Sequence, residues 1–408
     1  MALSRDDPHA HEWRRGWPVI VGAAAMAGTG SGLYQNLSSL FLPGLEQVMG
    51  ASRGEISASA AFGLLGALAA PYIGRLADRI GVVPVIVASA LGIAAAHLWF
   101  STMTGPFWQF QVGIALLALC APGVSALIYG RLVAKRFDRH RGLALGFATS
   151  GLSLTTVLLP ALAGWMIATW GWQAGYYLLA ALAVGVGLPA GLLAARSAGT
   201  LHRPARSAAP IKPSWRDRVF WRLTAATMLI NVGTIGMVTQ LALIGQERGI
   251  GLATAGLLLS AYGASQIGGR LVMGALIDRF AANRIAAAFG LASVVGFVAL
   301  VTGHGGLAFV LAAVFVAGLL NGAEYDLTPY LVTRLFPLEV YGELFGRLTL
   351  FSILSGGVGL ASFGLLHDWT GNYTAPLAIG AIAMLLAAVL LYGLPPVKPL
   401  RFSPSASR

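Results

Sequence analysis

Long apolar stretches separated by short polar connections, most of them basic, set the pattern of this chain. Twelve stretches come near or exceed the roughly 20 residues that a helix needs to cross a hydrocarbon core of about 30 Å. They lie near 17–42, 55–73, 82–103, 106–130, 142–168, 173–195, 219–246, 252–275, 284–303, 306–333, 343–367 and 373–394. Apolar and polar positions do not alternate within them, and they are too long for barrel strands. The pattern therefore predicts helices, which satisfy their own backbone hydrogen bonds in lipid. The polar start, residues 1–16, carries acids and runs into a long span, unlike a cleaved leader.

Composition narrows the class. The 408 residues are 57% hydrophobic and 10% charged, whereas soluble domains average about 25% charged residues. A compact core cannot hide so much apolar side chain, so the surplus faces lipid. The same balance excludes a disordered chain. A single cysteine, Cys120, excludes a disulfide framework or a multi-cysteine metal site. The net charge of +12 does not form a continuous patch of the kind that binds nucleic acid. It orients the chain instead. With both termini in the cytoplasm, only Arg53 and Arg248 of the 27 basic residues fall in outer loops, which satisfies the positive-inside rule. Heavy Ala and Gly use, with only Lys135, Lys212 and Lys398 as lysines, suggests a GC-rich bacterial source and hence the inner membrane.

The chain also repeats itself. Residues 74–79 read GRLADR and residues 274–279 read GALIDR; Gly164 and Gly171 recur as Gly364 and Gly371, again shifted by 200. Two six-span halves are expected, residues 1–195 and 219–408, joined by a basic Pro/Ser/Ala-rich cytoplasmic linker over 196–218. This organisation resembles the major facilitator superfamily. The signature Gly74, Leu76, Asp78, Arg79 and Gly81 is similar to that superfamily's loop motif, although Val82 and Val83 stand where basic residues usually follow. The resemblance implies an all-α membrane fold of twelve transmembrane helices in two pseudo-symmetric bundles, working by alternating access. Gly74, Asp78 and Arg79, with Gly274, Asp278 and Arg279, form the expected conformational gate: glycine lets helices approach closely, and Asp78 can pair with a cation of the neighbouring half. The alternative is a tight turn with solvated charges.

The run from Lys135 into Leu143, Ala144, Gly146, Ala148 and Gly151, with Arg14–Trp17 before the first span, resembles the monocarboxylate transporter and oxalate/formate antiporter group. Span 5 lacks the GPxxGG-type motif of many drug exporters. In that group an arginine four residues before the glycine of the second loop motif binds the substrate carboxylate. Arg270 stands in that place before Gly274, with Gln266 where the eukaryotic pattern has an aspartate. A guanidinium matches a carboxylate with two parallel hydrogen bonds. Arg270 lies roughly 26 Å into span 8 at ~1.5 Å per residue, so the alternative is an arginine that snorkels to the interface or closes an inner gate. Glu324 and Asp326 lie at matching depth in span 10. Either could pair with Arg270, and two readings stand for them, a proton-coupled switch or a fixed gate with Arg334 or Arg347. Apolar burial favours a neutral acid and an adjacent arginine an ionised one.

Gln35, Tyr129, Asn231 and Tyr330 complete the candidate substrate contacts; Tyr34, Asn36 and Gln240 are further polar groups within spans. Gln35 stands where the eukaryotic group has a functional lysine. GTGSG at 28–32 follows no strand and reads as close helix packing. His97, His304 and His367 show no metal-ligand spacing. No nucleophile–base pair or phosphate loop occurs, so neither an enzyme nor a cofactor is expected. Residues 352–364 hold no second cation for a dianion. The expected function is secondary transport of a small organic anion, a monocarboxylate by charge matching, by a monomer in a lipid bilayer. Proton coupling stays open. Drug export on the same fold is the alternative, and a non-transporting receptor a remote one.

Overall fold

The computed structural model describes residues 8–137, 141–199, 217–277, 279–302, 305–337 and 341–397; among these every regular element is a helix. The first stretch is α1 (Pro8–Thr29) and α2 (Ser31–Met49). The second is α3 (Arg53–Ala58), a 3-10 turn and α4 (Gly63–Ile80). Then follow α5 (Val82–Ser101), α6 (Phe107–Cys120) with α7 (Ala126–Arg136), α8 (Arg141–Trp170), and α9 (Trp172–Leu182) with α10 (Leu188–Ser197). The second half of the chain holds α11 (Arg218–Gln246), α12 (Leu252–Ile277), α13 (Ala282–Thr302), α14 (Leu307–Leu335), α15 (Tyr341–Thr370) and α16 (Thr374–Tyr392).

Ten of these stretches are long and apolar enough to cross a bilayer, counted among the described residues. Two expected spans fall outside that set. The first is broken at Gly30, whose backbone is extended, and α12 is lowered in hydropathy by its Ser, Gly and Gln residues and by Arg270. Both are helical where the pattern predicts it. The first stretch runs from Pro8 to Met49 rather than 17–42, because the helix continues through the polar residues at which the apolar pattern ends.

The chain forms two compact units. One comprises Met1–Arg206, Met237–Ala264 and Leu360–Tyr373; the other comprises Ser207–Gly236, Ser265–Gly359 and Thr374–Arg408. α11, α12 and α15 each contribute to both units.

Within the first unit, glycines set the helix spacing. A Cβ on Gly151 of α8 would overlap the backbone carbonyl of Ala24 on α1, and one on Gly28 would lie 2.8 Å from the Gly151 oxygen. The GTGSG segment is thus a packing surface. The repeated glycines have two physical roles. Gly171 and Gly371 turn one helix into the next with φ of 86° and 72°, a region costly for other residues. Gly164 abuts the backbone at Leu252 and Ala253, whereas Gly364 abuts Arg53 and Ser57. Each therefore admits the start of a helix from the other half of the sequence. The centre of this unit is a stack of Tyr34, Phe41, His97, Phe100 and Tyr176, with Phe41 and Tyr176 rings 4.2 Å apart. Tyr34 is buried in that stack and the Asn36 amide donates to Thr156 Oγ1 at 2.9 Å, so both serve internal packing.

In the second unit, α13 packs on α14 and α16 through small residues. Gly296 faces the backbone of Ala313 and Ala317, and Gly290 faces Ala388. Without a hydrophobic drive between helices in lipid, such contacts hold by van der Waals fit. Large apolar side chains such as Leu158, Leu271 and Val389 are exposed, as are Trp17, Trp108, Trp170 and Trp369. They are the surface that lipid and its interfaces solvate.

Candidate substrate site

In the second unit, α12 and α14 cross with their backbones in contact. A Cβ on Gly322 would overlap the Gln266 backbone, and one on Gly269 would overlap the Leu319 carbonyl. That approach sets the polar groups. The Gln266 amide, buried, donates to Asn321 Oδ1 at 3.3 Å. One turn on, the half-buried Arg270 guanidinium lies 5.0 Å from the centre of the Tyr325 ring, a cation–π contact that partly replaces the water the cation has lost.

Glu324 is buried, and its carboxylate accepts from Asn231 Nδ2 of α11 at 3.3 and 3.5 Å. The same amide nitrogen donates to the Thr227 carbonyl at 2.9 Å, which orients it. Glu324 and Tyr325 are neighbours on α14, about 100° apart around the helix. The carboxylate therefore faces α11 while the ring meets Arg270 of α12. Asp326 is exposed and Tyr330 half-buried on the same helix.

The second unit thus gathers Arg270, Gln266, Asn231, Glu324, Asp326 and Tyr330 on three helices. Gln35, half-buried on α2, and Tyr129, buried on α7, belong to the first unit. Sequence reasoning missed Asn321 and Tyr325. An amide and an aromatic ring carry no charge that marks them within an apolar run, and only the crossing of α12 with α14 reveals them. Gln240, one of the further polar groups within spans, has its amide engaged by Ser57 and Tyr373.

The first loop motif has a local physical basis. Arg131 of α7 donates from Nη1 to Asp78 Oδ1 at 2.7 Å and to the Gly74 carbonyl at 3.2 Å. Residues four apart share a helix face, so carbonyl and carboxylate grip one guanidinium. A side chain at 74 would begin 3.1 Å from Arg131 Nη2, which is why glycine suits that position. Asp78 thus meets a cation of its own half of the sequence. Arg79 is exposed. In the second copy Gly274 has open space around it and Arg279 is exposed; Asp278 and His304 lie outside the described residues. Among the described residues no three His, Cys, Asp or Glu side chains gather to hold a metal ion.

The comparisons agree with this architecture. The family model described as Major Facilitator Superfamily matches residues 20–323 and 223–408. Human "Monocarboxylate transporter 11" is 28% identical over 405 residues, covering 94% of this chain and 84% of its own. "Uncharacterized MFS-type transporter YcxA" of Bacillus subtilis is 24% identical, covering 92% and 94%. Among solved structures, a D-xylose-proton symporter superposes with a TM-score of 0.71 at 13% identity, over 94% of this chain and 97% of that one. That likeness speaks to the fold.

Proposed function

As this chain belongs to the major facilitator superfamily and is a multi-pass membrane transporter rather than an enzyme, we propose that it carries small organic anions, monocarboxylates above all, by alternating access. The observation that carries the reading is Arg270, a cation within a membrane helix, held against Tyr325 beside the Gln266–Asn321 amide pair. Charged groups in membrane helices are costly and mark substrate or ion paths. The guanidinium takes the carboxylate in two parallel hydrogen bonds, and the amides and Tyr330 contact the remainder. Gln35 and Tyr129, polar side chains of the first unit, are substrate contacts proposed from the sequence alone. The relatives named monocarboxylate transporters support the substrate class.

Glu324 is the coupling acid in this reading, because it is buried whereas Asp326 is exposed. The distribution of basic residues supports both termini in the cytoplasm, and the bacterial relative supports a bacterial inner membrane. The loop motifs, Gly74, Asp78 and Arg79 with Gly274, Asp278 and Arg279, act as gates, and residues 1–195 and 219–408 as the two rocking halves.

Counterflow of labelled monocarboxylates in proteoliposomes tests the substrate assignment. A hydrogen bond to a charged group contributes about 1.5–3 kcal/mol, so Arg270→Ala should weaken apparent affinity roughly 10- to 150-fold. Arg270→Lys should recover little, because an ammonium lacks the planar fork. Wild-type protein that exchanges no carboxylate, but expels organic cations with or without Arg270, would overturn the assignment in favour of drug export.

A further inference from the structure

A second polar cluster lies in the first unit, where the ends of α2, α11 and α15 meet the start of α3. Arg53 of α3 is its hub. Nε of Arg53 pairs with Glu46 Oε1 of α2 at 2.7 Å. Its Nη1 donates to His367 Nε2 of α15 at 2.9 Å and to the Tyr373 hydroxyl at 3.2 Å. The chain of donors continues: Tyr373 donates to Gln240 Oε1 at 2.7 Å, and Gln240 Nε2 donates to Ser57 Oγ at 2.9 Å, one turn from Arg53 on α3. The Tyr373 phenol carries one O–H, which it donates to Gln240 while its oxygen accepts from Arg53. Asp368 of α15 accepts from the Gly54 amide at 2.9 Å. The absence of side chains at Gly54 and Gly364 admits this approach, since a Cβ on either would meet α15 or α3 within 3 Å.

All of these contacts except Arg53–Glu46 and Tyr373–Gln240 join the first half of the sequence to the second. His367 makes the arrangement conditional. Glu247 Oε1 lies 3.2 Å from the same His367 Nε2 that Arg53 approaches. A guanidinium only donates, so Arg53 needs a lone pair on that nitrogen; a carboxylate only accepts, so Glu247 needs a proton there. One nitrogen cannot serve both. Neutral His367 with its proton on Nδ1 accepts from Arg53. Protonated His367 donates from Nε2 to Glu247 and turns Nδ1–H toward Asp368 Oδ1, now 3.7 Å away, while repelling Arg53. Both carboxylates that the imidazolium then serves belong to the second half; Glu247, whose Oε1 also lies 4.0 Å from Arg53 Nη1, is taken over by the imidazolium, and Arg53 keeps Glu46, its closer partner at 2.7 Å, within the first.

We propose that this cluster is a proton-responsive latch between the two halves of the sequence, with Arg53 as its hub and His367 as the proton acceptor that releases it. The charged groups that face His367 are Arg53 from α3 and Glu247 and Asp368 from the second half; Glu46 is bound to Arg53, Glu55 caps the Ser52 amide and Arg248 donates to the Ile244 carbonyl. Three carboxylates, Glu46, Glu247 and Asp368, offset the charge of Arg53 and that of the imidazolium within the cluster. The inference goes beyond the substrate assignment and does not depend on it.

The test is electron–electron dipolar spectroscopy on Gln47→Cys/Asn372→Cys, spin-labelled in a Cys120→Ser background and held in lipid nanodiscs. Both labelled positions are exposed and outside the latch contacts. Between pH 8 and pH 5, the range over which imidazole ordinarily changes charge, the fraction of long inter-label distances should rise at least threefold. His367→Gln should abolish that pH response, and Arg53→Gln should give the long distances at both pH values. His367→Asn serves as the second variant if His367→Gln does not fold. A pH response that survives loss of the imidazole, a wild type indifferent to pH, or an Arg53→Gln protein that stays at short distance would each overturn the proposal.

Discussion

Gly146 and Gly151 stand five residues apart in the same motif on α8, yet the structure predicts opposite outcomes for replacing them with alanine. A Cβ at 151 would overlap the Ala24 carbonyl and lie 2.7 Å from Ala24 Cα. The obstacle is backbone of α1, which cannot rotate aside like a side-chain end. Overpacking of this kind costs about 1–3 kcal/mol, partly offset by the ~1 kcal/mol that alanine gains over glycine in a helix. A Cβ at 146 has open space around it, so only the helix term remains and Gly146→Ala should be neutral or slightly stabilising. The assay is thermal unfolding of the purified protein in one detergent, followed by intrinsic tryptophan fluorescence or by exposure of Cys120, with helix content checked first. Gly151→Ala should unfold several degrees below wild type and Gly146→Ala at or above it. Equal shifts for both would refute the argument that backbone approach, rather than the motif as a whole, accounts for the glycine at 151.

The Gly74–Asp78 grip on Arg131 predicts a ranking: Asp78→Asn should cost about 1 kcal/mol or less, because both partners are substantially exposed, whereas Gly74→Leu evicts the guanidinium and should cost more in the same unfolding assay. If Asp78→Asn proves the costlier, the carboxylate alone holds Arg131 and the carbonyl is incidental. Glu324→Gln should keep hydrogen bonding with Asn231 and therefore fold and exchange substrate in counterflow, but lose uptake driven by a proton gradient; retained gradient-driven uptake would remove Glu324 as the coupling acid. Replacing Gly171 by alanine forces a side chain into a backbone with φ of 86° and ψ of 165°, a region essentially confined to glycine, and should lower stability by about 1–3 kcal/mol, read as a fall in unfolding temperature against a Gly185→Ala control, whose Cβ meets open space.

The amino-acid sequence by itself determined where the chain is helical in the membrane, which superfamily it belongs to, and that its two halves repeat. Lipid offers no alternative partner for a backbone amide, so a long apolar run has one solution, and hydropathy marks ten of the twelve expected stretches. Gly171 and Gly371 stand out in the sequence only as repeated positions; the structure shows that both turn the chain at positive φ. Tertiary structure alone decided which polar groups meet. Nothing in the pattern distinguishes Gly151, pressed on Ala24, from Gly146, where a Cβ would meet open space. Nor does it show that Asn36 serves Thr156, that Gln240 bridges Ser57 and Tyr373, or that Asn231 reaches Glu324 93 residues away. Arg53, Gln240 and His367 each stand out singly in the sequence, and nothing in the pattern shows that they meet. Such pairings depend on helix rotation and crossing distance, set by small residues fitting together across the whole unit, and a residue's own neighbours in sequence do not encode them.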